Sequence, residues 1–76
     1  MAVYYEYRLR SGTFRIIQDR AGWQAFFGDE HFDGPYPTAQ GLAEDIANGH
    51  TAWPSCGDPS QLGVPEDLSD WQPMRS

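Results

Sequence analysis

The side chains able to do chemistry are few: one cysteine, two histidines and scattered carboxylates. A metal centre needs three or four converging ligands, and short Cys-x-x-Cys or His-x-x-x-His spacings mark such sites. His31, Asp33, His50 and Cys56 are the available set, and no pair among them has that spacing. His50 and Cys56 lie in "GHTAWPSCGDP", where a Cys–His nucleophile would require the loop to fold back on itself. Cys56 stands in "PSCGD" with no neighbouring basic side chain to lower its pKa, so a turn or packing role is expected. The stretch then reads as a joint between a helix and a tail. The adjacent acids Asp29–Glu30, Glu44–Asp45 and Glu66–Asp67 point apart in a helix or strand, which suits solvated surface better than a shared acid–base site. The glycines are scattered beside turn residues, and none forms a phosphate-cradling run. The expectation is no catalytic residue, no cofactor and no metal.

One set has binding potential. Arg8, Arg10 and Arg15, with Tyr4 close by, form a candidate binding face, because planar guanidinium forks suit carboxylate or phosphate. Charge is unevenly distributed along the chain. Residues 1–20 hold four arginines against Glu6 and Asp19, a balance of +2, and residues 21–76 hold Arg75 against nine acids, a balance of -8. There is no lysine, and the net charge of -6 opposes non-specific attraction to nucleic acid or an anionic membrane. The competing reading is internal: the arginines pair with Glu66, Asp67 and Asp70 of a folded-back tail.

The elements that must position these residues follow from periodicity. "VYYEYRLR" alternates, with Val3, Tyr5, Tyr7 and Leu9 on one face and Tyr4, Glu6, Arg8 and Arg10 on the other. A turn at Ser11–Gly12 into "TFRIIQD" would pair Leu9 with Phe14, Tyr7 with Ile16 and Arg8 with Arg15, leaving Glu6 diagonal to Arg15. "DRAG" leads into a third strand, "WQAFF". A four-residue loop puts Trp23, Ala25 and Phe27 on the core face, and a three-residue loop with a bulge exchanges that set with Phe26. Either way both sides of the sheet carry large apolar groups, so a covering segment is expected on the second side. "GDEHFDGPYPT" reads as a turn-rich connection. A helix follows, capped by Thr38 and Gly49, with Ala39, Leu42, Ala43, Ile46 and Ala47 in one stripe. Gly41 is expected to let that helix approach the sheet.

Residues 50–76 hold four of the six prolines yet retain Trp53, Leu62, Val64, Leu68 and Trp71, too apolar for a free tail. "VPEDLSDW" reads as a helical turn starting at Pro65. The predicted fold class is α+β: a three-stranded antiparallel sheet packed on one α-helix, with an ordered irregular C-terminal wrap. Residues 1–76 are expected to form a single small domain, with a βββα body over 1–49, a wrapping tail over 50–72 and a loose end at 73–76. Eleven aromatic residues against nine Ile, Leu and Val imply a small, aromatic core.

The run from Tyr4 to Gly49 resembles the sheet-and-helix DNA-binding modules of plant AP2 transcription factors and phage integrase arm domains. The likeness rests on the Trp23 strand, the Tyr36-to-Thr38 helix entry and the alanine-rich helix face. It implies DNA reading through the basic and aromatic open sheet face. "GHTAWPS" and "LGVPEDLSDW" resemble phrases of small uncharacterised bacterial proteins, a likeness that implies no activity. No apolar run approaches the ~20 residues of a membrane helix, and the first residues lack the pattern of a secretory signal. The expected function is a small, non-catalytic, cytoplasmic binding module with a protein partner or with itself along a strand edge. Nucleic-acid binding through Arg8, Arg10 and Arg15 is the alternative, and no membrane partner is expected.

Overall fold

The computed structural model describes residues 3–75. Five strands, β1 (Val3–Leu9), β2 (Gly12–Gln18), β3 (Trp23–Phe27), β4 (Glu30–Tyr36) and β5 (Gln72–Arg75), surround one helix in the chain, α1 (Ala39–Ala47). They form one antiparallel sheet in the order β4-β3-β2-β1-β5. The class remains α+β, but the expected three-stranded sheet is wrong: both outer strands lie in segments read as irregular. β4 occupies "EHFDGPY" and β5 occupies "QPMR". Proline, glycine and acids depress strand propensity, yet they are tolerated on edges, where one row of backbone groups faces water. Of the end expected to be loose, residues 73–75 are instead part of the sheet: Pro73, Met74 and Arg75 pair with Tyr5, Tyr4 and Val3. Ser76 lies outside the described residues.

The first hairpin is also shifted from expectation. Its turn is Arg10–Ser11, so Tyr7 faces Phe14, Tyr5 faces Ile16, Arg8 faces Thr13 and Glu6 faces Arg15. The shift is two residues, which preserves every side chain's face and changes only its partner. It replaces an Arg–Arg juxtaposition with a Glu–Arg one, the favourable choice for directly opposed charges. Gly12 (φ 152°) follows that turn, and a Cβ there would lie 2.6 Å from Phe27 Cζ. The Phe27 ring therefore packs where only glycine leaves room. The second hairpin has the four-residue loop, with Phe14 opposite Phe27 and Ile16 opposite Ala25.

α1 forms as its stripe predicts. Thr38 accepts a hydrogen bond from the Gly41 N–H (3.1 Å), and Ala39, Leu42, Ala43 and Ile46 are buried. At the other end Asn48 is the cap and Gly49 (φ 73°) follows it in the left-handed region. Gly49 N–H donates to Ile46 O and His50 N–H to Asp45 O, the double closure that such a glycine permits. Gly41 does not serve the sheet contact: a Cβ there would meet Thr38 Oγ1 at 2.9 Å.

The core joins Phe14, Ile16, Ala25 and Phe32 of the sheet to α1, Val64 and Trp71. The segment after α1 packs on this same side. Its two short 3-10 turns, Pro59–Gln61 and Leu68–Asp70, are capped by Asp58 and Asp67 and touch α1. The second begins at Leu68, not at Pro65, because the Asp67 carboxylate takes the Ser69 N–H. Trp71 is 2% exposed, packs its ring at a tilt against Tyr7 and donates its indole N–H to Pro65 O. Trp53, expected in the core, is instead 58% exposed, with its indole N–H on Gly49 O.

Candidate functional site

With helix and C-terminal segment on one side, the other face of the sheet is left without a covering layer among the described residues. The expectation that the tail would cover this face is therefore corrected. The reason lies in the apolar residues of the tail: Leu62, Val64, Leu68 and Trp71 join the helix-side core. Glu66 accepts from Asn48 and Asp67 from Ser69, and none of the three expected tail acids, Asp70 included, pairs with Arg8 or Arg15, whose carboxylate partner is Glu6.

The open face has an ordered grid of side chains. One row crosses all five strands, from Gln72 through Glu6, Arg15 and Phe26 to His31. Tyr4 and Met74 pair in a neighbouring row, as do Ile17 and Gln24. Tyr4, Ile17, Phe26 and Met74 are all half-buried and belong to no core contact. His31 packs on Phe26 in a tilted arrangement with ring centroids 5.3 Å apart, and its Nε2 lies 2.8 Å from Gln24 Oε1. Gln24 in turn donates to the Asp19 carboxylate.

Glu6 organises the charge. Its carboxylate accepts from Arg15 Nε at 2.9 Å, from Arg8 Nη2 at 3.3 Å and from Arg8 Nε at 3.4 Å. Glu6 is 4% exposed although no layer covers it; the two guanidinium groups lie against its carboxylate. The Arg15 hydrogen bond, reinforced by Arg8, holds the Glu6 carboxyl below the ordinary carboxylate range against the opposing cost of burial. The same bond pushes Arg15 up. Arg15 Nη1 also donates to Gly28 O (3.2 Å), which fixes the guanidinium toward the β3–β4 turn.

Tyr4, Arg8 and Arg15 thus share one face. Arg10 sits in the adjacent turn, exposed and without an ion-pair partner among the described residues. Sequence reasoning missed Glu6 as the centre of the set, along with Ile17, Phe26 and Met74 as its apolar surround. The signal was present in the alternation of Glu6 with Arg8, but only the correct hairpin register places it opposite Arg15.

His50 and Cys56 of "GHTAWPSCGDP" make other contacts. His50 Nδ1 lies 3.9 Å from Asp45 Oδ1, and Tyr36 donates its hydroxyl to Asp45 Oδ2 at 2.6 Å. Burial, then that bond to Asp45, pushes the Tyr36 pKa far up. Cys56 packs partly against the core, where burial raises its thiol pKa. No bond joins it to His50, and no three His, Cys, Asp or Glu side chains converge as metal ligands among the described residues. Ser55 N–H on the Glu30 carboxylate and Asp58 on Ser60 tie the loop down. His31 and Asp33 are likewise separate, Asp33 accepting from the Gly34 N–H. The described surface has no pocket.

The structure thus defines a sheet-dominated α+β domain with an uncovered, arginine-bearing face. No helix among the described residues is long and apolar enough to cross a membrane. No family model, curated protein or solved structure matches the chain. The AP2 and integrase-arm pattern departs from the fold in a definite way: β4 intervenes between the third strand and the helix, and β5 extends the sheet beyond β1.

Proposed function

We propose that this chain is a small, non-catalytic cytoplasmic binding module that takes a protein partner on its open sheet face. The observation that carries the reading is the continuous row Gln72–Glu6–Arg15–Phe26–His31, flanked by Tyr4, Ile17 and Met74 and left uncovered by helix and tail. Aromatic residues and arginine are the side chains enriched where proteins meet, and charges held in place set orientation. Pairing along a strand edge is the weaker route. Pro73 sits in β5, and β4 contains Pro35 and register shifts against β3, features that guard an edge.

Nucleic acid is the second reading, favoured by one observation: the tail leaves Arg8 and Arg15 uncovered. Against it stands Glu6, which already neutralises part of their charge, within a chain of net charge -6. A photo-crosslinking residue in place of Ile17, compared with one in place of the exposed Glu44 on α1, tests the proposal in cells. Protein adducts are expected from position 17 and not from position 44. Adducts from position 44 alone, from neither position, or to nucleic acid at position 17 overturn it.

A further inference from the structure

We propose that Arg8 and Arg15, preset by Glu6, form a clamp for a carboxylate of an acidic peptide segment whose apolar side chains lie on Tyr4, Ile17 and Phe26. The inference rests on the protein-partner reading and adds the chemistry of what is bound. Glu6 engages one edge of each guanidinium: Nε of Arg15, and Nε with Nη2 of Arg8. Arg15 Nη1 is held by Gly28 O. Arg8 Nη1 and Arg15 Nη2 donate to no described residue. Two cations therefore share one carboxylate, and each keeps a donor for a second. Because Glu6 and Gly28 O already hold Arg15, and Glu6 draws Arg8 toward it, a ligand meets the pair with part of the ordering cost removed. Arginine forks take carboxylates with defined geometry, and such charge-assisted bonds are the strong ones.

The apolar surround selects the ligand class. Phe26 is the cross-strand neighbour of Arg15, and Ile17 and Tyr4 occupy the adjoining positions of β2 and β1. Five strands at about 4.8 Å spacing give a face about 19 Å across, room for about six extended residues. Screening at physiological salt limits attraction to about 8 Å, so a short acidic segment responds to the local cationic excess. A longer polyanion would also meet the -8 carried by residues 21–76. A second copy face to face would oppose arginine with arginine.

The test is an amide-resolved NMR titration of the full chain with three probes. These are a short peptide alternating Glu and Leu, its counterpart with Gln for every Glu, and oligothymidylate of similar length. The Glu peptide is expected to shift resonances around Glu6, Arg8, Arg15 and Phe26, with the Gln peptide binding about tenfold more weakly, the equivalent of one charge-assisted bond. Arg15→Gln should weaken the Glu peptide by about as much. Arg20→Gln, the same charge change in the exposed β2–β3 loop, should have less effect. The comparison of peptides on the wild type keeps the clamp testable if Arg15→Gln does not fold. Equal binding of Glu and Gln peptides on this face overturns the clamp and leaves the protein-partner reading standing. Binding of oligothymidylate alone overturns both. No binding by any probe, or concentration-dependent shifts at this face without ligand, overturns the clamp, and crosslinking from position 17 then decides the broader reading.

Discussion

Glu6→Gln isolates the charge of the buried carboxylate while keeping its shape. The wild type has one short bond to Arg15, whose side chain is 33% exposed, and longer contacts to Arg8, whose side chain is 68% exposed. A hydrogen bond to a charged group contributes about 1.5–3 kcal/mol net, whereas an exposed ion pair contributes about 0–1 kcal/mol. Arg15 stands between those limits because water reaches part of it. Arg8 adds little. The expected cost is about 2 kcal/mol near neutrality, with Arg15 accounting for most of it. In a domain of this size that lowers the melting temperature by roughly 8–16 °C. The folded pKa of Glu6 is lowered, so its ionised form stabilises the fold above the unfolded carboxylate range. That contribution is lost as pH falls from about 4.5 through the folded pKa. Urea unfolding of wild type and Glu6→Gln, repeated from neutrality down to about pH 2, should show two curves that converge in acid as wild-type Glu6 takes up its proton. A difference below about 0.5 kcal/mol at neutrality, within the range of an ordinary surface substitution, would refute the argument. So would one unchanged by acid.

The two tryptophans of the C-terminal segment should behave oppositely. Trp71→Ala removes a side chain 2% exposed and should cost about 3–5 kcal/mol, enough to unfold much of a small domain. Trp53→Ala, at 58% exposure, should cost at most about 1 kcal/mol, and thermal melts of the two variants compare them directly. Burial raises the Cys56 thiol, so alkylation near neutrality should run slower than for the same cysteine in the urea-unfolded chain. A faster folded-state reaction would mean an activated thiolate that this environment does not provide.

Local patterning determined α1, its Thr38 and Gly49 ends, and the inward side of β1 and β2, because those signals lie within a few residues and repeat at 3.6 or 2, whereas β3 admitted either face until its pairing with β2 chose one. It also determined that something after residue 50 had to enter the core, since Val64 and Trp71 had no other place from which to leave water. Tertiary structure decided the rest. β4 and β5 are strands because β3 and β1 offer unpaired backbone, which outweighs the poor propensity of "EHFDGPY" and "QPMR". The two-residue shift in the first hairpin leaves the hydrophobic alternation unchanged, so the apolar pattern could not select it. Opposed charge and the packing of Phe27 on Gly12 favour the observed register. That choice places Glu6 against Arg15. The candidate site exists because the register of the β1–β2 hairpin joined a carboxylate and a guanidinium nine residues apart, on the face that helix and tail left open.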